Sequence, residues 1–266
     1  MSRTEMRNPK TKYIDRASTA EMLRLINDEN INSVTAVEAA LTEIEEACDA
    51  AAESIAMGGR IFYVGAGTSG RLAVTDASEC PPTFGVDYET VIAVIAGGQS
   101  AVFKAAENVE DSAELGKKDL LIHNLTPKDT VVGISASGNA AYVVAALTAA
   151  KDIGCKTVAL SCNKECKIAD IADIAIFTDT GAEVVTGSTR MKAGNAQKMV
   201  LNMISTCAMI KTGKVYENLM INLKPTNIKL RKRMIGIVSD IIGTDSETSE
   251  KLLEENDWNI RKAVNK

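Results

Sequence analysis

Between Arg60 and Thr180 two hydrophobic patterns alternate along the chain. Short continuous apolar runs, RIFYVGAG, TVIAVIAGG, DTVVGISASG, KTVALSCN and DIAIFTDT, are separated by stretches whose apolar residues recur every three or four positions. Continuous runs of this kind suit strands buried on both faces, and helix-length spacers impose crossovers between parallel neighbours. The pattern predicts an α/β fold with a doubly wound five-stranded parallel sheet. Its helices are expected near residues 70–77, 99–118, 138–153 and 189–212, the last rich in Met, Ala and Leu and so well buried.

The flanks read as helical. STAEMLRLINDEN offers Ser18 or Thr19 as an N-cap with Glu21 in the first turn, and Met22, Leu25 and Ile26 as a short apolar stripe. A second, longer helix is predicted from Val34, Val37, Leu41, Ile44, Cys48 and Ile55, ending at Gly58-Gly59. Beyond Lys214, Met234, Ile237, Val238, Ile241 and Ile242 form one face of a helix whose basic residues Arg231, Lys232 and Arg233 are solvated. TDSETSEKLLEENDWNIRKAV then reads as a helix-turn-helix hairpin, capped at Ser246, turning near Asn256-Asp257 and packed by Trp258. The organisation expected is N-terminal helices over 1–57, the α/β domain over 58–222, and C-terminal helices over 223–266.

Composition narrows the function. A chain of 266 residues can bury one substantial core, and 45% hydrophobic with 24% charged residues is the balance of an ordered globular protein. A net charge of -5 leaves no cation excess for nucleic acid, so none is expected as a partner. The basic start lacks the apolar core and cleavage site of a signal peptide, and no run approaches a membrane span. The six cysteines show no disulfide framework, which suits reduced thiols in the cytoplasm. Cys162 and Cys166 lack the second pair that a zinc site needs, and His123 lies far upstream, so no metal is expected.

Three strand-to-helix turns carry hydroxyls: Gly65-Ala-Gly67-Thr68-Ser69-Gly70, Ser135-Ala-Ser137-Gly138-Asn139 and Gly187-Ser188-Thr189-Arg190-Met-Lys192. The first matches a dinucleotide fingerprint, but the second strand ends Ile95-Ala96-Gly97-Gly98 without the carboxylate that holds a ribose. Hydroxyls and helix-start amides at one sheet edge instead suit a compact phosphate bound by neutral donors. Any one of these turns could merely cap a helix; three at one edge point to a site.

RIFYVGAGTSGRLAVTDASECPPTFGV, IAGGQSAVFKAAENVEDS, VVGISASGNAAYVVAAL and GAEVVTGSTRMKAGNAQKMVLNMIST resemble the N-acetylmuramic acid 6-phosphate etherase family, a branch of the sugar isomerase (SIS) fold. The likeness takes in LINDEN and GKVYENLMINLKPTN and so extends to about residue 230. It implies a SIS phosphosugar-binding domain over 58–222 and a lyase that splits the D-lactyl ether by elimination and rehydration, in the recycling of cell-wall sugars. It implies no metal and no organic cofactor, a small-molecule phosphosugar as ligand, and a homodimer with residues of both subunits near the pocket. The family's helical segments beyond this hairpin are expected to shield the site or shape the dimer.

The resemblance also assigns catalytic carboxyls to Glu79, as the acid that protonates the departing lactate, and Glu110, as the base at the sugar's second carbon. From the residues alone, Glu79 precedes Pro81-Pro82, expected to end its helix and fix the carboxyl over the sheet edge. Glu110 is read on a helix with Glu107 on the same face, and the spacing does not choose between them. Gly67, Thr68, Ser69, Ser135, Ser137, Gly138, Asn139, Ser188, Thr189 and Lys192 are the expected substrate and phosphate ligands. Arg190 could serve in place of Lys192, and Glu183 either touches the sugar or ends a strand. Cys80 has no His partner and is not read as a nucleophile, and His123 is read as a structural loop residue. Competing functions on the fold are a non-catalytic sugar-phosphate sensor, as in the glucokinase regulatory protein, and an aldose-ketose isomerase; the two carboxyls argue against the first and DASECPP with GSTRMK against the second.

Overall fold

The five apolar runs form β1 (Ile61–Gly65), β2 (Val91–Ile95), β3 (Thr130–Ile134), β4 (Lys156–Ser161) and β5 (Ile174–Phe177) in a computed structural model that describes residues 3–225 and 227–264. They pair in parallel in the order β2-β1-β3-β4-β5. Because the chain leaves β1 toward one edge and returns on its other side as β3, strand order reverses between these two. A crevice opens there beyond their carboxyl ends.

Helices cover both faces, which is why the strands carry no polar alternation. On one face α2 (Leu41–Ala56), α3 (Gly67–Phe84) and α8 (Lys192–Lys211) pack on Ile61, Tyr63, Val132, Ile134 and Leu160. On the other, α5 (Ala113–Leu121), α6 (Ala141–Ile153) and α7 (Lys167–Ile171) enclose Phe62, Val64, Val131 and Ala159. A staple at the amino end of the sheet locks β1 to β3. Buried Asp129 accepts from the Arg60 backbone N–H at 2.8 Å, from its guanidinium at 2.8 Å, and from Thr126 N–H at 2.8 Å.

Several boundaries differ from the sequence reading. The first long helix, α1 (Thr19–Glu38), starts at Ser18 in a capping box with Glu21 and runs past Val34 and Val37; the break before α2 falls at Ala39-Ala40. The helix expected over 99–118 is two, α4 (Ser100–Phe103) and α5, because Ser112 accepts from Leu115 N–H and caps a new start. Glu110 therefore stands on the intervening loop, not on a helix with Glu107.

Pro81 and Pro82 do not end α3, which continues to Phe84. In the last turn a proline forfeits only one i−4 bond each, and the stop comes from Gly85, left-handed at φ 63°, where an added Cβ would run into the Asn222 carbonyl. Toward the C-terminus, α9 (Ile228–Ile242), α10 (Ser246–Glu255) and α11 (Ile260–Ala263) bury Met234, Val238, Leu253 and Ile260 in an apolar cluster of their own. Asp245, not Ser246, is the N-cap of α10, because its carboxylate reaches Thr248 N–H at 2.8 Å. Trp258 packs this cluster with the Arg231 guanidinium 4.9 Å over its ring.

Candidate functional site

A cavity of about 440 Å³ occupies the crevice beyond β1 and β3. Its walls are residues 66–69 at the start of α3, residues 134–137 with Asn139 and Ala140 after β3, Gly187 and Thr189 before α8, and the Glu110-Asp111 loop. The first N–H groups of α3 have no intrahelical acceptor and face this space beside the Thr68 and Ser69 hydroxyls. Among the described residues no Lys or Arg lines it, so the donors offered to an anion are neutral.

The turn after β3 is built from its own side chains. Ser135 Oγ accepts from Gly138 N–H at 3.0 Å and shares a 3.3 Å hydrogen bond with Ser137 Oγ. Ser137 Oγ accepts from Asn139 N–H at 3.2 Å, while Asn139 Oδ1 accepts from Lys167 N–H at 3.2 Å. Gly138 does not line the cavity; it shapes the turn, with φ 72° and a position where a Cβ would run into Cys166 Sγ. On the α3 side, Ser69 Oγ donates to Gln197 Oε1 of α8 at 2.9 Å.

Of the residues expected from sequence, the cavity brings together Gly67, Thr68, Ser69, Ser135, Ser137, Asn139, Thr189 and Glu110. Ser188 is half-buried beside Thr189 but outside the wall, its N–H bonded to the Val185 carbonyl. Lys192 is turned away: it is 1% exposed, and its ammonium meets Glu29 Oε2 at 2.6 Å. A buried ammonium without a partner is costly, and Glu29 of LINDEN supplies that partner, so Lys192 is committed before any phosphate arrives. Arg190 is exposed and also outside the wall. Glu183, fully buried, accepts from Lys192 N–H at 3.1 Å and Ala193 N–H at 3.0 Å, capping the start of α8 rather than touching a ligand or ending a strand.

Glu79 is not in this cavity. It is exposed on α3 some three turns beyond Gly67, roughly 18 Å along the axis, because the helix runs back from the cavity toward the amino edge of the sheet. Next to it, buried Cys80 has its thiol pushed up to about 12 by burial and by the Asp76 charge, leaving no thiolate for nucleophilic attack. His123 sits 5.6 Å from the Phe62 ring, its carbonyl accepting from Arg60, and burial followed by the Arg60 charge lowers its pKa; it is a structural residue.

The cavity also includes residues that no motif announced. Thr4 and Glu5 reach it from a single 3₁₀ turn, Arg3–Glu5, held at the sheet edge by Arg3 N–H donating to Asn163 Oδ1 at 3.0 Å and by an Arg3–Asp179 ion pair at 2.8 Å. A Cβ on Gly187 would lie 3.4 Å from Glu5 Oε2, which puts that carboxylate against the Gly187-Ser188 turn. Only tertiary folding brings them here. Asp111 joins through its neighbour Glu110.

Comparison with known proteins decides what this site belongs to. The chain is 51% identical over 261 residues to the N-acetylmuramic acid 6-phosphate etherase of Bacillus pumilus (strain SAFR-032), covering 98% of this chain and 86% of that protein. It is 53% identical over the same length, with the same coverage, to the enzyme of that name from Clostridium botulinum (strain Langeland). The chain belongs to the N-acetylmuramic acid 6-phosphate etherase family. A model of the glucokinase regulatory protein N-terminal SIS domain matches residues 43–151, which include β1, β2 and β3. The phosphoheptose isomerase of Francisella tularensis superposes with a TM-score of 0.56 at 18% identity, over 74% of the etherase-family chain and 99% of its own, and shares the fold.

Proposed function

We propose that this chain is a carbon–oxygen lyase that splits N-acetylmuramic acid 6-phosphate into N-acetylglucosamine 6-phosphate and D-lactate. What carries the reading is Glu110 on the wall of a hydroxyl-lined cavity, with no Lys or Arg among its described lining residues, in a chain 51% identical to an etherase along 98% of its length. The α3 amides with Thr68, Ser69, Ser135, Ser137 and Thr189 hold the phosphate. Glu110 takes the proton from the second carbon of the open-chain sugar. The bond from the third carbon to the ether oxygen breaks, its electron pair leaving with lactate, which takes a proton from an acid. Water then adds across the carbon–carbon double bond, its hydroxyl to the third carbon and its proton to the second.

The acid is Glu79 of a second copy. Within one chain Glu79 stands too far along α3 to share a sugar with Glu110, so a homodimer that lays one α3 against the other subunit's cavity supports both roles. The cavity's own carboxyls, Glu5 and Asp111, are the acids left if that arrangement fails. Six unpaired cysteines, five of them buried, suit work in the reducing cytoplasm. The sensor reading is not favoured, because the identity to etherases runs along nearly the whole chain.

The test measures D-lactate release from N-acetylmuramic acid 6-phosphate in heavy-oxygen water by the wild type, Glu79→Ala, Glu110→Ala and a refolded mixture of the two variants. Expected are heavy oxygen at the third carbon with wild type, no release by either variant, and recovery in the mixture to about a quarter of wild type, since half the dimers then hold one intact site. No release by wild type would sink the lyase. Inactive variants without recovery in the mixture would sink the shared site, leaving Glu5 or Asp111 as the acid and a structural role for Glu79.

A further inference from the structure

Gln197 is 1% exposed on α8, and its carboxamide is only half satisfied. Its Oε1 accepts from Ser69 Oγ at 2.9 Å, whereas among the described residues its buried Nε2 has no partner. Leaving a buried amide nitrogen unbonded costs on the order of 1–3 kcal/mol, and buried polar groups in folded proteins are rarely left so. The Ser69 hydroxyl lines the cavity, yet in this arrangement its only hydrogen points away from the cavity into Gln197. Toward the cavity it offers lone pairs alone, the wrong polarity for a phosphate oxygen.

Both faults have one remedy. The carboxamide's oxygen and nitrogen are nearly the same size, so turning it over puts Nε2 where Oε1 now lies, 2.9 Å from Ser69 Oγ. The nitrogen then donates to the serine oxygen, and the serine hydrogen is released to point into the cavity. An unbonded donor is exchanged for an unbonded acceptor, the less costly of the two in a protein interior. We propose that Gln197 is a positioning residue whose carboxamide, turned over, donates to Ser69 Oγ and so fixes the serine hydroxyl as a donor to the substrate's phosphate. The proposal rests on the reading that Ser69 holds the substrate's phosphate. It explains why an amide, able to donate to a hydroxyl, stands behind this serine.

Calorimetric binding of N-acetylglucosamine 6-phosphate tests this with Gln197→Glu, Gln197→Met and Ser69→Ala, alone and combined. Gln197→Glu can only accept, holding the serine hydrogen away from the cavity; it should weaken binding tenfold or more. Gln197→Met, an apolar near-isostere that tests the idea should the buried glutamate fail to fold, should weaken it about threefold by leaving the hydroxyl unfixed. In the Ser69→Ala background neither change should weaken binding further, and in turnover both should act on KM more than on kcat. Weakening that persists without the serine hydroxyl would overturn the positioning role, as charge repulsion or packing would then be the cause. Equal weakening toward unphosphorylated N-acetylglucosamine would overturn it too, and so would unchanged binding by both single variants. Ser69→Ala binding as tightly as wild type would instead overturn the phosphate assignment beneath it.

Discussion

Lys192 shows how a residue's chemistry is decided by its nearest buried partner. An ammonium at the start of a helix that borders an anion site reads as a phosphate ligand, but Glu29 holds it at 2.6 Å, and Asn8 Nδ2 donates to the same oxygen at 2.7 Å. Lys10, mostly exposed, adds a 3.1 Å contact to the other oxygen. Removing the lysine would leave Glu29 buried with its main counter-charge gone, a loss of about 3–5 kcal/mol in buried pairs of this kind. Lys192→Met should accordingly lower the melting temperature sharply while the surviving folded protein binds N-acetylglucosamine 6-phosphate within about twofold of wild type. Calorimetry on the two proteins decides it: a stable variant with lost affinity would return Lys192 to the phosphate. Glu110 is the opposite case, since its neighbours leave it on a loop at the cavity wall, and neither spacing nor helix face distinguishes it from Glu107 in the sequence.

At the scale of elements, the strands were legible because burial on both faces forces unbroken apolar runs, and the five runs became the five strands. Helix ends were less so, because they depend on caps. Ser112 divides one expected helix into two, and Gly85 rather than Pro81 ends α3. The hairpin of α10 and α11 was legible in its residues but not in its support, which comes from α9 through Leu253, buried among Met234, Val238 and Ile260. Leu253→Ala should therefore destabilise this element group by about 2–5 kcal/mol. Limited proteolysis should then cut within residues 228–264 well before the sheet is attacked; cleavage spread evenly over the chain would show that the cluster has no separate stability.

Across the whole molecule, stability should depend on acidity through a few buried carboxylates. Burial works to raise the pKa of Glu29 and Asp129, but the bonds donated by Lys192, Lys10 and Asn8 to the first, and by Arg60 and Thr126 to the second, outweigh it and hold both low. A carboxylate held low in the folded state stabilises fully above its unfolded pKa, about 4, and loses that contribution as pH falls through the folded value. Asp76 runs the other way: burial raises its pKa, so its contribution is fullest in acid and declines as pH rises. The melting temperature should hold between about pH 5 and 7 and fall below about pH 4, and Asp129→Asn should lower it at neutral pH while flattening the acid slope. An unchanged slope in that variant would remove Asp129 from the account.

By itself the sequence determined the parallel sheet, its five strands and the hydroxyl-rich turns, because these follow from local periodicity and from short motifs that fold where they lie. It also carried the family, through long stretches in which many residues agree at once. Tertiary structure alone decided which charges are spent on one another, as in Glu29 with Lys192, and which distant segment, Thr4-Glu5, closes the cavity. It also decided that Glu79 and Glu110 lie apart within one chain. Those outcomes depend on distances between residues far separated along the chain, which periodicity does not encode.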